Sequence, residues 1–466
     1  MPGPGDFVML HVCKARANSE TALRIVLTKL IKPEGGVRMH IRHAASFLVI
    51  LAASQALGAD PGLIEYRNAT WWDGRSEFTG SRYVRGDRFA DIESASAEMI
   101  IDLHGAIVTA PFGEGHNHNV VRPIFDHANQ EYLSNGVFYA KIPGIHPPEV
   151  EPIRDLLARA DTVDAAFSLG MITSPGGHPV GIYVGFLSDL LYGGATYEDF
   201  SGLAFHEVAS EADVNAAIGA LASQGADFVK TVLVYSERFD DGFQEGLNPD
   251  LLPFLVRRSH DIGLTVSLHV ESAEDFRRGV AAGVDEIAHL PGFVWGKEEK
   301  AADHILTEND ARRAAESDVA VVTTTNYANV IGKRFGFPED ALTQFKTVQR
   351  QNLRLLIDAD VEIRIGSDVY DRTGGGEGAN PTRGEVENLV TLGVFDAEKA
   401  LSVWIDTGRK IFPQRRIACF EAGCEASFLV FDADPRIDLG NLDQLTLAIK
   451  QGVDVTKRRD NKGILE

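Results

Sequence analysis

Six side chains able to bind or bridge divalent cations recur along the chain: His116 with His118, then Lys230, His269, His289 and Asp368. Each closes an apolar, strand-like run, and the ends of strands are where a barrel of alternating strands and helices keeps its chemistry. The first pair stands in Ala110-Pro111-Phe112-Gly113-Glu114-Gly115-His116-Asn117-His118. Side chains two apart on a strand project to one side, so the two imidazoles can grip one ion. Singly, each histidine reads more often as a core or surface group, and the aspartate as a helix cap. The set, in this order, points to a metal centre.

Lys230 lies within Phe228-Val229-Lys230-Thr231-Val232. A charged amine is costly to bury in such a run unless it is paired or neutralised. Two readings stay open: an edge-strand lysine reaching water, or a buried amine whose lowered pKa lets it take up carbon dioxide. The resulting carbamate is a carboxylate on a long stem, able to bridge two cations. His269 ends the run from Leu264, and His289 the run from Val284, with a helix expected over Ser272 to Ala282. That spacing is close to the minimum for adjacent parallel strands joined by a helical crossover. Asp368 follows Val361-Glu362-Ile363-Arg364-Ile365-Gly366-Ser367.

With these residues in place, the chain resembles the amidohydrolase superfamily, in particular its imidazolonepropionase-like binuclear branch. The resemblance runs from about Leu63 to the C-terminus, including Val108-Thr109-Ala110-Pro111 before the first histidines and Gly423 to Asp432 near the end. It implies an α/β fold, a distorted TIM (β/α)8 barrel with a small β-sandwich domain built from both chain ends. It places His116 and His118 after strand 1, a carbamylated Lys230 after strand 4, His269 and His289 after strands 5 and 6, and Asp368 after strand 8. Two divalent metal ions follow, with zinc favoured by the imidazoles and manganese, cobalt or iron admitted. The implied reaction is hydrolysis of a C–N bond in an amide, peptide or cyclic amide by a metal-bridging hydroxide, with Asp368 as proton shuttle. A dipeptidase-like enzyme fits this description. Two positions depart from the family pattern: Glu114 stands where an aspartate is usual, and Ala426-Ser427-Phe428-Leu429 replaces the common Ala-Asp-Leu-Val.

Three other readings compete. A mononuclear deaminase of the same superfamily usually carries a glutamate three residues after the strand 5 histidine, but Ser272 is there and Glu271 comes one residue early. A lactonase is a second, and a catalytically silent, metal-stabilised binding protein a third.

Strand–helix alternation, with helices expected over Glu211 to Gln224 and Asp340 to Asp358, supports a mostly parallel sheet. The expected boundaries are a leader over residues 1–59, sandwich strands over 60–109, the barrel over 110–411 and returning sandwich strands over 412–466. Three long loops should choose the substrate: Ile172 to His206 with His178, Thr325 to Glu339 with Tyr327, and Val369 to Gly384 with Arg372 and the run Gly374-Gly375-Gly376. Tyr235 is a fourth candidate contact. Arg372 also reads as a solvated surface group.

The 466 residues carry a formal charge of −22, with 44% hydrophobic and 24% charged residues. This is enough chain for a barrel and a smaller domain, and its charge repels nucleic acid. A small-molecule substrate is the expected partner, and a homo-oligomer is compatible. From Arg38 to His43 the chain is basic, and Ala44 to Leu57 is apolar and ends in small residues. That is the plan of a secretory signal peptide, too short for a membrane span of about 20 residues. Export to a periplasm-like compartment without a stable membrane anchor is expected, with Met1 or Met39 as the start. Loss of Cys13 with the leader would leave Cys419 and Cys424, either bonded across a hairpin loop or as free thiols.

Overall fold

The structure, a computed structural model, describes residues 62–91, 97–296, 299–369 and 380–456. The expected leader, Cys13, Arg372 and the run Gly374–Gly376 lie outside the described residues.

Leu63–Trp72 (β1), Glu77–Arg85 (β2), Arg88–Ala90 (β3), Met99–Asp102 (β4) and Ile107–Thr109 (β5) open the described chain. Phe428–Phe431 (β16), Leu445–Lys450 (β17) and Val453–Asp454 (β18) close it. All eight strands form one hydrogen-bonded sheet, in the order β18-β17-β16-β5-β1-β2-β3 with β4 against β1. The two chain ends meet where β16 runs antiparallel to β5 and Val430 lies opposite Val108. Aromatic side chains hold that junction, Trp71 meeting Phe428 and Phe420 edge-on at 5.3 and 5.2 Å. Such pairs contribute about 0.5–1.5 kcal/mol each beyond area burial.

Cys419 and Cys424 are bonded, with Cα atoms 5.9 Å apart. The hairpin expected around them is absent among the described residues. The segment turns instead, and Cys424 gives its carbonyl to the Phe89 amide, at 2.9 Å, rather than to a strand through Cys419.

The barrel strands are Phe112–Glu114 (β6), Val137–Ile142 (β7), Asp164–Phe167 (β8), Met171–Thr173 (β9), Phe228–Val232 (β11), Thr265–His269 (β12), Glu286–Ile287 (β13), Ala320–Val322 (β14) and Ile363–Arg364 (β15). Phe205–Glu207 (β10) adds to the edge of β9. Every pairing within these two groups is parallel. β8 pairs with β7, and β9 with β11, so they act as two halves of one strand, broken where Leu169 takes a left-handed φ of 59°. Backbone hydrogen bonds from Gly115 to Ile365 and from Asp368 to His116, both 2.8 Å, join the first strand to the last. The result is a distorted eight-stranded ring.

Local sequence explains the helices that brace it. Ser272 caps Ala273–Ala282 in a reciprocal box with Asp275, and Gly283 ends the helix at φ 77°. Phe276 and Val280 supply its buried face. Ala397–Ile411 lies so close to β6 that a Cβ on Gly113 would collide with the Gly408 backbone, while Phe112 stacks on Trp404 at 3.9 Å.

The barrel interior also holds a buried ionic group. The Lys141 ammonium and the Arg364 guanidinium each lie 2.7 Å from an oxygen of Glu286, and Ser267 donates to the same carboxylate at 2.8 Å. Strands β7, β15, β13 and β12 are thereby tied through one carboxylate.

Candidate metal centre

The strand ends bring His116, His118, His269, His289 and Asp368 together. Nε2 of His118 and of His116 lie 3.2 and 3.6 Å from Asp368 Oδ1, and His289 Nδ1 lies 3.7 Å from Oδ2. The His116 ring is 4.5 Å from that of His289, which is 4.5 Å from that of His269. Ligand atoms of His116, His118 and Asp368 all fall within 4.8 Å of one another, a separation one cation can span. Asp368 and Thr324 hold left-handed φ values of 51° and 47° at the ends of their strands. Non-glycine residues seldom adopt this conformation, and it concentrates at functional sites.

Three of the four imidazoles have one ring nitrogen engaged by protein. His118 Nδ1 faces the Gly144 carbonyl at 3.3 Å, His269 Nε2 the Glu271 carboxylate at 3.1 Å, and His289 Nδ1 the Thr324 hydroxyl at 3.1 Å. Their other nitrogens remain for a cation, the arrangement metal-binding histidines normally show. Lys230 is 1% exposed, and among the described residues its Nζ has no hydrogen-bond partner. A buried polar atom left unpaired is expensive. An added carboxylate holding a cation would satisfy it, so the residues fit a metal centre.

The electrostatics favour neutral donors. Burial, reinforced by Lys141, pushes the Lys230 ammonium down to about 7 against the opposing pull of Asp368 and Glu286. Burial, then Lys230, lowers His269 to about 3, and burial holds His116 and His289 well below their usual range. Imidazoles that resist protonation are the form that ligates. Burial lifts Glu271 to about 8. A divalent cation, as the largest local charge, would return it to the carboxylate.

Glu114, at the position where aspartate is usual, acts as a staple. One oxygen accepts the His116 and Ser367 amides, both at 2.9 Å. The other accepts the Ser367 and Thr382 hydroxyls at 2.7 and 2.6 Å. It locks together the turns bearing His116 and Asp368.

Of the substrate candidates, His178 reaches the cluster, its ring stacked on His269 at 4.8 Å. Tyr327 lies 5.7 Å from Phe293, whose ring stacks on His289 at 4.6 Å. Tyr235 turns to Phe243 and His304, at 6.1 and 6.0 Å between rings. Sequence reasoning missed Thr324, Phe293 and the part played by Glu271. Only Glu271 left a signal, as a glutamate one residue out of place.

No family model matches the chain, and no curated protein does. Solved structures do. A Xaa-Pro dipeptidase with methionine bound in its active site is 18% identical, with a TM-score of 0.65 over 84% of this chain and 99% of that one. An amidohydrolase is 16% identical, with a TM-score of 0.64 over 84% and 98%. The A. niger ochratoxinase is 15% identical, with a TM-score of 0.65 over 85% and 96%. The fold of this chain is the amidohydrolase fold.

Proposed function

We propose that this protein is a metal-dependent hydrolase that cleaves the C–N bond of a small amide or peptide substrate at a two-cation centre. The observation that carries the reading is the buried Lys230 amine, without a hydrogen-bond partner among the described residues, together with His116, His118 and Asp368, whose ligand atoms converge, and the adjoining rings of His289 and His269. His116, His118 and Asp368 would hold one cation and His269 and His289 the other, with Lys230, as a carbamate, supplying a further carboxylate ligand. Bound divalent cations would polarise the scissile carbonyl and bring the pKa of a water into the neutral range.

The chain's own residues do the rest. With a pKa of about 7, a useful share of Lys230 is neutral near pH 7, so its nitrogen can bond to carbon dioxide and release a proton. Asp368, beside both first-strand histidines, is placed to accept a proton from the attacking water and pass it to the departing nitrogen. The hydroxyl goes to the acyl carbon, the C–N bond breaks, and a carboxylate and an amine leave. Among the proposed ligands, His118 and Asp368 are the most exposed, at 29% and 16% of their side chains, so substrate would approach from their side. Phe293 stacks on His289 and His178 on His269, so aromatic rings cover two of these imidazoles.

Likeness of fold to a Xaa-Pro dipeptidase and an ochratoxinase supports an amide or peptide substrate. The test is a panel of dipeptides, N-acyl amino acids, cyclic amides, lactones and aminopyrimidines, offered to zinc-loaded protein. Release of amine and acid from an amide is the expected result. Turnover confined to lactones, or ammonia released from aminopyrimidines alone, would overturn the reading.

A further inference from the structure

We infer that Glu271 is a positioning residue of this centre: its carboxylate receives the Nε2–H of His269 and so fixes Nδ1 as the nitrogen presented to a cation. The inference rests on the metal reading above and assigns a role to a residue outside the ligand set.

The geometry is specific. His269 is 5% exposed, and its Nε2 lies 3.1 Å from Glu271 Oε1. The Glu271 main chain is pinned on both sides, its amide donating to Asp275 at 3.2 Å and its carbonyl facing His304 Nδ1 at 2.9 Å. Asp275 also accepts the amides of Tyr235, Ser236 and Ser272, at 2.8–3.0 Å, so the turn after β12 has little freedom. Ser272, which stands where a deaminase would carry its glutamate, is committed to capping the next helix through a 3.1 Å bond from the Asp275 amide. Glu271 is thus held against the histidine.

The partners of the other two engaged histidines are neutral, a carbonyl for His118 and a hydroxyl for His289. A carboxylate in this position raises ligand basicity and fixes ring orientation, and losing one typically costs 10–100-fold in metal affinity. The effect should fall on the cation held by His269 and spare the one held by His116 and His118.

Stepwise zinc affinities of the full chain, measured by chelator competition, and the visible spectrum of the cobalt-substituted protein test this in wild type, Glu271→Ala and Glu271→Gln. The expected result is a loss of roughly 10–100-fold at one cation in Glu271→Ala with an altered cobalt band. Glu271→Gln, whose amide oxygen can still accept from Nε2–H, should retain most of the affinity. Unchanged affinities and spectrum in Glu271→Ala, with only KM raised, would overturn the inference and make Glu271 a substrate contact. Glu271→Gln as weak as Glu271→Ala would also overturn it, making Glu271 a ligand. A single cation in wild type would contradict the two-cation reading instead, and an unaltered affinity for that cation in Glu271→Ala would then count against Glu271.

Discussion

Asp368 Oδ1 lies 3.2 Å from His118 Nε2, so the last strand of the barrel delivers its carboxylate to the histidine pair carried by the first. The 2.8 Å bond from the Asp368 amide to the His116 carbonyl, and the left-handed φ of Asp368, hold it there.

Asp368→Asn keeps the shape of the side chain and removes its capacity to take a proton. Turnover should fall at least the roughly 10²-fold typical of a lost general base, while His116 and His118 retain metal. Steady-state kinetics with metal analysis of the same preparation checks this. Near-normal turnover at full metal content would move the proton shuttle elsewhere.

Glu286, buried between Lys141 and Arg364, offers a test of stability. Burial pushes its carboxyl up, but Lys141 and Arg364 outweigh burial and hold it at about 2, against an ordinary 4.5. A depressed acid stabilises the fold above its unfolded pKa, and that contribution is lost as pH falls through the folded value. Glu286→Gln, which takes the carboxylate from the buried Lys141 ammonium while Arg364 keeps its pairing with Glu362, should cost about 3–5 kcal/mol at neutral pH. Denaturant titrations should show the gap to wild type closing as pH falls from 4.5 towards 2. A pH-independent gap would show that packing, not charge, is what the substitution removes.

Much of this was legible in the sequence, and the reason is physical. The candidate ligands sit at strand ends because apolar strands must be buried while their ends meet solvent, so each histidine closes a hydrophobic run. The helix Ala273–Ala282 was legible for a similar reason, as Ser272 and Gly283 punctuate it. Thr324 was invisible because a threonine after a strand carries no signal until β13 and β14 bring it beside His289. The Lys141–Glu286–Arg364 group was hidden likewise, since three separate strands contribute to it. The turn at Cys419–Cys424 was misread as a hairpin because its partner is β3, far away in sequence.

We propose export from the apolar stretch Ala44 to Leu57 and from the Cys419–Cys424 bond, which an oxidising compartment sustains. N-terminal sequencing of native protein should return a start near Leu57 or Asp60. A start upstream of Arg42 would refute this.

The most direct test of the two-cation account is metal content per chain, by elemental analysis, for wild type and Lys230→Ala prepared with zinc and bicarbonate. The account predicts about two zinc ions in wild type, from the count of donors, and fewer in Lys230→Ala. Reloading of stripped wild type should weaken as pH drops below about 7, where Lys230 becomes an ammonium. One zinc ion per chain, the same in both proteins, would contradict it.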